Sequence, residues 1–407
     1  GIPAQYGDVT GGILSVTTKG PSREFHGGVE LVTTAPFDLV SKYKRWGNTL
    51  IFNFQGPLLM KENKETKAKT PLLGYFVAGE LSRSVSFNSP IDVYTVKKSK
   101  IDEIRNSPLV PSGWGSGNYY RAEYLTRDDL EKDYVKKNAG GYSVNLSSKF
   151  DVKTSKNTNL TIGATMDYNS GRSYSFANSF MNYDYNGAYR NNTIRVFTRF
   201  YHNIKLSKED GSNKKNEIFK NAYYSVQADY SRVTSTNEDK ELKDELFKYG
   251  YIGKFTSYKG RNYEWGYDST LKLTGWKLNN FPDTLVTFEP GKYNPDAAAF
   301  TSSYYSMYDL HSGYYSQKTY IEDARGLLNG QQPESVYGLI THIGTRYNNY
   351  SHSVANQFAF SINGSIDIKN HNIQLGFQFE QQIDRGYGYS PVGLWTLMRS
   401  LANKHIT

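Results

Sequence analysis

The residues that could act as catalysts or metal ligands are few and scattered. Seven histidines stand at positions 26, 202, 311, 342, 352, 371 and 405, and none has the i, i+4 partner that sets two imidazoles on one helical face for zinc. His342 and His352 come nearest to a pair, toward one end of a long polar stretch. Cysteine is absent, which removes thiolate nucleophiles, thiolate metal sites and disulfides together. Its absence also suits a chain that crosses an oxidising compartment unfolded. The run Gly113-Trp114-Gly115-Ser116-Gly117-Asn118 has the glycine density of a phosphate-cradling loop. It lacks the lysine, the close preceding strand and the following helix that such a loop needs, so it is expected to be a loop tip. No hydrolase, kinase or dehydrogenase motif stands out. The chain is expected to bind rather than catalyse, with no cofactor and no metal.

Binding chemistry is better represented. Trp114, Tyr119, Tyr120 and Tyr124 gather in one polar stretch, and Tyr304, Tyr305, Tyr308, Tyr314 and Tyr315 gather in another that also holds Trp265 and Trp276. Rings with polar tips supply large contact area at small entropic cost. Trp114, Tyr119, Tyr120, Tyr304, Tyr305, Tyr308, Tyr314 and Tyr315 are therefore expected to line a ligand platform. A second set, Glu30, Glu80, Asp167, Arg195, Arg199, Asp229, Asp367 and Glu380, occupies alternate positions inside otherwise apolar segments.

The elements that must carry these groups are strands. From residue 142, Tyr142, Val144, Leu146, Phe150 and Val152 alternate with Ser143, Asn145, Ser147, Lys149 and Asp151, the period of a strand with one apolar face. After Thr154-Ser155-Lys156-Asn157, the segment from Asn159 to Tyr168 repeats the pattern as a hairpin partner. Segments 194–204, 224–231, 357–368 and 373–380 alternate likewise, and 26–34, 48–57 and 73–85 complete a set of nine.

Alternation alone fits a soluble sandwich as well as a membrane barrel, and the connections discriminate. Those after the second, fourth, sixth and eighth strands are short and basic, with Lys61, Lys64, Lys67, Lys69, Lys153, Lys156, Lys214 and Lys215 in or beside them. The intervening ones are about 50, 20 and 120 residues long, except the brief first. Regular alternation of short turns with long loops is the pattern of an outer-membrane barrel, with turns in the periplasm and loops outside. The fold expected is thus all-β, an antiparallel transmembrane β-barrel represented by nine strands. On that fold the eight charges above face the lumen, where they guide a polar solute, dock a plug or simply pair in a wet interior.

Composition agrees. No apolar run approaches the roughly 20 residues of a transmembrane helix, yet 15% of the chain is aromatic and 36 residues are glycine. The net charge of +9 is spread largely over the turns, which argues against a nucleic-acid stripe. Nine strands leave two raw edges, so further strands are expected to complete the barrel.

The opening residues, Gly1-Ile2-Pro3-Ala4-Gln5-Tyr6-Gly7-Asp8-Val9-Thr10-Gly11-Gly12-Ile13-Leu14-Ser15-Val16-Thr17-Thr18-Lys19, resemble the end of the plug domain in TonB-dependent outer-membrane receptors. Tyr6-Gly7, the paired Gly11-Gly12 and the strand Ile13 to Thr18 match that family's pattern, and Phe25-His26-Gly27-Gly28-Val29 opens the first barrel strand. Within the family this stretch looks most like the Oar-like branch of the Bacteroidota and myxobacteria. It departs from the starch-utilisation branch, which usually has Gly-Ser-Arg-Gly-Ala-Asn-Gly where this chain has Gly7-Asp8-Val9-Thr10-Gly11-Gly12, and so argues against a lipoprotein lid of the starch type. The resemblance implies a plug inside a barrel of about 22 strands. Residues 1–24 would be the end of the plug and linker. Residues 25–407 would be the first part of the barrel, with long extracellular loops near 89–140, 172–190 and 235–355. It also implies outer-membrane localisation, the TonB complex of the inner membrane and outer-membrane lipids as partners, and a small solute or surface protein as ligand, with lipoprotein or other envelope partners possible and no nucleic acid. Active uptake of a scarce solute is the expected function. An Oar-like scaffold for protein export, adhesion or envelope assembly is the alternative.

Overall fold

Alternating apolar and polar residues pair into one open antiparallel sheet. The computed structural model describes residues 22–40, 47–62, 69–85, 92–113, 117–155, 157–205, 219–308 and 317–404. Its main sheet comprises β1 (His26–Thr33), β2 (Asn48–Glu62), β3 (Lys69–Ser84), β4 (Gly141–Lys153), β5 (Thr158–Arg172), β6 (Ala188–Lys205), β7 (Phe219–Glu238), β8 (Tyr350–Ile368) and β9 (His371–Tyr389). Every strand pairs only with its neighbours in sequence, as loop-closure entropy favours. All nine expected strands are present and in the expected order. They are longer than anticipated, reaching 20 residues in β7, because pairing continues past the point where alternation fades. The sheet is not closed: β1 and β9 are its two edges. The proposed plug strand lies outside the described residues.

Cross-strand register assigns each residue to a face. One row joins Glu30, Ile51, Glu80, Asn145, Asp167, Thr193, Val233, Ala355 and Asp384. Stepping by twos from it puts all eight expected lumen charges, Glu30, Glu80, Asp167, Arg195, Arg199, Asp229, Asp367 and Glu380, on one face. The opposite face carries Leu50, Phe52, Phe54, Tyr75, Val77, Phe150, Ile162, Val196, Phe358, Ile362, Leu375 and Phe377. At several positions apolar side chains are the more exposed and polar ones the more buried. Lys149 and Asp151, on the polar face, are 7% and 6% exposed, whereas Ile162 and Leu375 are 50% and 75% exposed. Of the buried apolar side chains among the described residues, only Tyr350 belongs to this sheet.

The apolar band also slides across the strands. On β5 it runs from Leu160 to Tyr168. The rows through those residues reach β9 at Phe377 and Arg385, but the unbroken apolar run there is Ile373 to Phe379. The loopward limit has shifted six residues toward the turns (385 − 379). A band of constant height makes this drift when strands cross it at a tilt.

The molecule's core lies elsewhere. The connections 85–140, 173–187 and 239–349 all leave the same end of the sheet, as an up-and-down order requires, and fold into a common cap. One cluster joins Val96, Ile101, Ile104 and Ala122 from the first loop, Met181 from the second, and Val336 and Ile343 from the third. A second joins Leu109 and Tyr120 to Ile252, Ala297, Ala298, Phe300 and Leu327. The cap is partly helical, which alternation did not foresee: helix α1 (Lys98–Asn106) buries Ile101 and Ile104, helix α2 (Pro295–Met307) starts on a proline that needs no N–H partner there, and helix α3 (Leu394–Asn403) follows β9. The charged segment 237–246, whose composition reads equally as a short loop helix or as disorder, instead finishes β7 and turns around Asp239, which accepts from the Glu241 and Leu242 amides at 2.9 and 3.1 Å. The helix there begins only at Leu246.

Gly330 fixes the seat of α3. Its φ is +92°, and a Cβ would lie 2.6 Å from the Thr396 amide nitrogen. Gly330→Ala is expected to destabilise this contact by about 1–3 kcal/mol. Faster amide exchange in Leu394–Asn403, with the sheet's exchange unchanged, is the expected readout.

Candidate functional site

Of the eight expected platform aromatics, Trp114, Tyr314 and Tyr315 lie outside the described residues. Tyr120 and Tyr304 require a correction: at 3% and 5% exposed they are core residues, with no surface to offer a ligand. Tyr120 packs edge-on to Phe300 with ring centroids 5.9 Å apart. Tyr305 and Tyr308 are half-buried and donate to the Val286 carbonyl and Asn118 Oδ1. Tyr119 is exposed beside Tyr124, rings 6.5 Å apart. The short strand Asn118–Tyr120 explains the split, because neighbouring side chains on it point opposite ways.

The exposed aromatic surface is on a hairpin built from Asn262–Asp268 and Leu273–Asn280. Register places Tyr263, Trp265, Tyr267, Trp276 and Leu278 on one face and the Glu264–Lys277 ion pair, 2.9 Å, on the other. Trp265 and Trp276 pair across the strands edge to face, 5.7 Å between centroids. All five apolar side chains are well exposed. The two tryptophans were visible in the sequence, but strict alternation of Tyr263, Trp265 and Tyr267 was the overlooked signal that they share a face. Elsewhere in the cap, a cavity of about 350 Å³ is lined by Tyr251, Phe255, Trp395, Lys254, Lys318 and Arg399. Glu289 lies 3.3 Å from Lys254 and Asp283 lies 3.7 Å from Lys318.

A polar network holds the three long loops together. Arg346, 5% exposed in its side chain, pairs with Asp239 at 3.3 Å and Glu241 at 2.8 Å, and donates to Asn294 Oδ1 and the Tyr293 carbonyl. Its guanidinium sits 4.5 Å over the Tyr185 ring. Tyr185 donates to Asp296, which lies 3.3 Å from Arg105. Burial works to lower the Arg346 pKa, but Asp239 and Glu241 outweigh it and hold the charge in place.

His342 is fully buried against Phe300 and Tyr120, ring centroids 4.9 and 5.2 Å away. Its Nδ1 lies 3.2 Å from the Ile343 carbonyl, which can only accept, so the proton of this hydrogen bond belongs to Nδ1. Metal binding at His342 and His352 is not supported. His352 instead meets Thr236 Oγ1 at 3.0 Å on β8, and no group of three or more His, Asp or Glu able to hold a metal occurs among the described residues. Burial holds the His342 pKa down to about 4, against 6.5 for the free group. The unfolded chain therefore binds this proton first as pH falls. Cap stability is full above pH 6.5 and declines between 6.5 and about 4, by about 2 kcal/mol at pH 5. Protease susceptibility of the loops is expected to rise over that window in the native protein and to stay flat in His342→Phe.

On the polar face of the sheet, Arg195 pairs with Asp229 at 2.9 Å. Gln227 bridges that carboxylate and Arg199 with hydrogen bonds of 2.8 and 2.9 Å. Lys149 meets Asp151 at 3.2 Å, Asn372 donates to Asp367 at 2.6 Å, and Gln357 donates to Glu380. Glu30, Glu80 and Asp167 stand in a row with Asn145 between the last two. Five of the eight charges expected to face a lumen, Arg195, Arg199, Asp229, Asp367 and Glu380, thus have polar partners on this face, and register alone brings all eight to one side. Comparison with protein-family models, curated proteins and solved structures finds no match for the chain.

Proposed function

We propose that this chain is the first part of the barrel of a TonB-dependent outer-membrane transporter, with the loop cap outside the cell and the paired polar face lining the lumen. The observation that carries it is the inverted sheet. An extensive apolar face with no covering layer is stable in hydrocarbon and aggregation-prone in water. Strict neighbour-to-neighbour order with every long connection at one end fits the same setting. The opening residues' resemblance to a plug terminus supplies the family. Recognition belongs to the cap and its aromatic hairpin, and release into the periplasm to a plug pulled by the TonB complex. No helix among the described residues is long and apolar enough to span a membrane, and the strands do that work in this proposal.

The amphipathic hairpin favours one second reading, a surface scaffold that grips another protein. Deleting residues 240–350 separates the two. Transport predicts lost solute uptake with normal envelope assembly, and the scaffold predicts the reverse. Recovery of the native protein in the soluble fraction without detergent would overturn both.

A further inference from the structure

Charge is sorted between the two faces of the sheet. In its regular part the polar face carries eight acids, Glu30, Glu80, Asp151, Asp167, Asp229, Asp367, Glu380 and Asp384, against Lys149, Lys153, Arg195 and Arg199 among the described side chains. The apolar face has the opposite balance. Among the described side chains of the same regular part its charged residues are Arg83, Arg172, Arg190, Arg232, Arg385 and one acid, Glu238, and each of these lies loopward of the apolar band. Arg172 turns into the cap to donate to the Asp184 and Asn186 carbonyls, and Arg190 pairs with Glu238 at 2.8 Å. The side chains of Arg83, Arg232 and Arg385 are exposed and make no hydrogen bond or ion pair with any described residue.

We propose that this rim binds the phosphate groups of anionic membrane lipids, with Arg232 and Arg385 as its centre. The assignment rests on the membrane-barrel reading above. Arg232 on β7 stands in register with Asn356 on β8, and the next row on the same face runs Asn192, Thr234, Val354, Arg385. Two strands at roughly 4.8 Å spacing and two residues of rise separate the arginines, a gap their side chains span. Asn356 is held by the Tyr230 hydroxyl at 2.9 Å. The patch therefore offers two guanidinium forks and neutral polar side chains just above the level where acyl chains end. Guanidinium matches phosphate oxygens in pairs. A cation without a counter-charge at a membrane rim attracts anionic headgroups, and a carboxylate-rich lumen would repel them. A cleft of about 390 Å³ lined by Arg190, Lys243, His352, Thr234, Thr236 and Glu238 continues the rim.

The test uses the full-length protein in nanodiscs of phosphatidylcholine with a minor fraction of phosphatidic acid, counting lipids retained after partial delipidation by native mass spectrometry. The native protein should enrich phosphatidic acid. R232Q/R385Q should reduce that enrichment by about fivefold for each arginine removed, while R232K/R385K keeps most of it. Unchanged heat-modifiable gel migration verifies that each variant remains folded. Equal enrichment in the glutamine variant overturns the proposal. So does complete displacement by inorganic phosphate, which would mark a free-anion site. Insertion without any lipid preference sinks this inference alone, whereas failure to enter bilayers sinks the membrane reading with it.

Discussion

Val196→Arg is expected to destabilise the folded protein in a bilayer by about 2–4 kcal/mol, the effect of a cation at the hydrocarbon midplane. Val196 lies mid-strand on the apolar face, 44% exposed, between Ala164 and Tyr230 in register. The paired control is Asn145→Arg. Asn145 faces the other way, between Glu80 and Asp167 on the adjoining strands, so a new guanidinium there meets two carboxylates and is expected to be neutral or stabilising. Denaturant unfolding in lipid vesicles reads both. A soluble sheet would reverse the logic, because a half-exposed surface valine tolerates arginine with little change. Equal, small effects from the two substitutions would therefore refute a lipid-facing sheet.

Arg346→Met is expected to loosen the cap by about 3–5 kcal/mol, the usual result of stripping a buried carboxylate of its partner. Asp239 is 2% exposed, and its carboxylate would keep only the hydrogen bonds from the Glu241 and Leu242 amides. The Tyr185, Asn294 and Glu241 contacts would go with it, which strikes the second and third loops directly and the first through Tyr185, Asp296 and Arg105. Pulse proteolysis should show rapid nicking within 85–140 and 239–349, while far-UV circular dichroism retains the sheet signal. The double variant Arg346→Met with Asp239→Asn should recover part of the loss, since removing both charges leaves no buried ion unpaired. If the double variant is as impaired as the sum of its parts, the pair is not the element holding the loops.

These two substitutions probe regions whose legibility in the sequence differed sharply. The sheet was readable because its rule is local: a strand declares its face every second residue, and hairpin partners follow within a few positions at 154–157 and 369–370. That rule grouped Glu30, Glu80, Asp167, Arg195, Arg199, Asp229, Asp367 and Glu380 before any partner was known, and register places them on one face. It also separated short connections from long ones.

The cap obeys no such rule. Its contacts join positions far apart, such as Asn118 Nδ2 to the Ala324 carbonyl at 2.9 Å and Arg346 to Asp239, and no periodicity announces them. Composition could say only that tyrosines crowd the loops. It could not say that Tyr120 and Tyr304 would fill a core while Trp265 and Trp276 stayed outside, because burial there depends on which loop arrives opposite. The sequence by itself determined the nine strands, their order and the identity of each face. Only the tertiary structure decided which aromatics are free to meet a ligand and that the arginines gather at one rim, because both depend on register across strands and loops that local alternation does not encode.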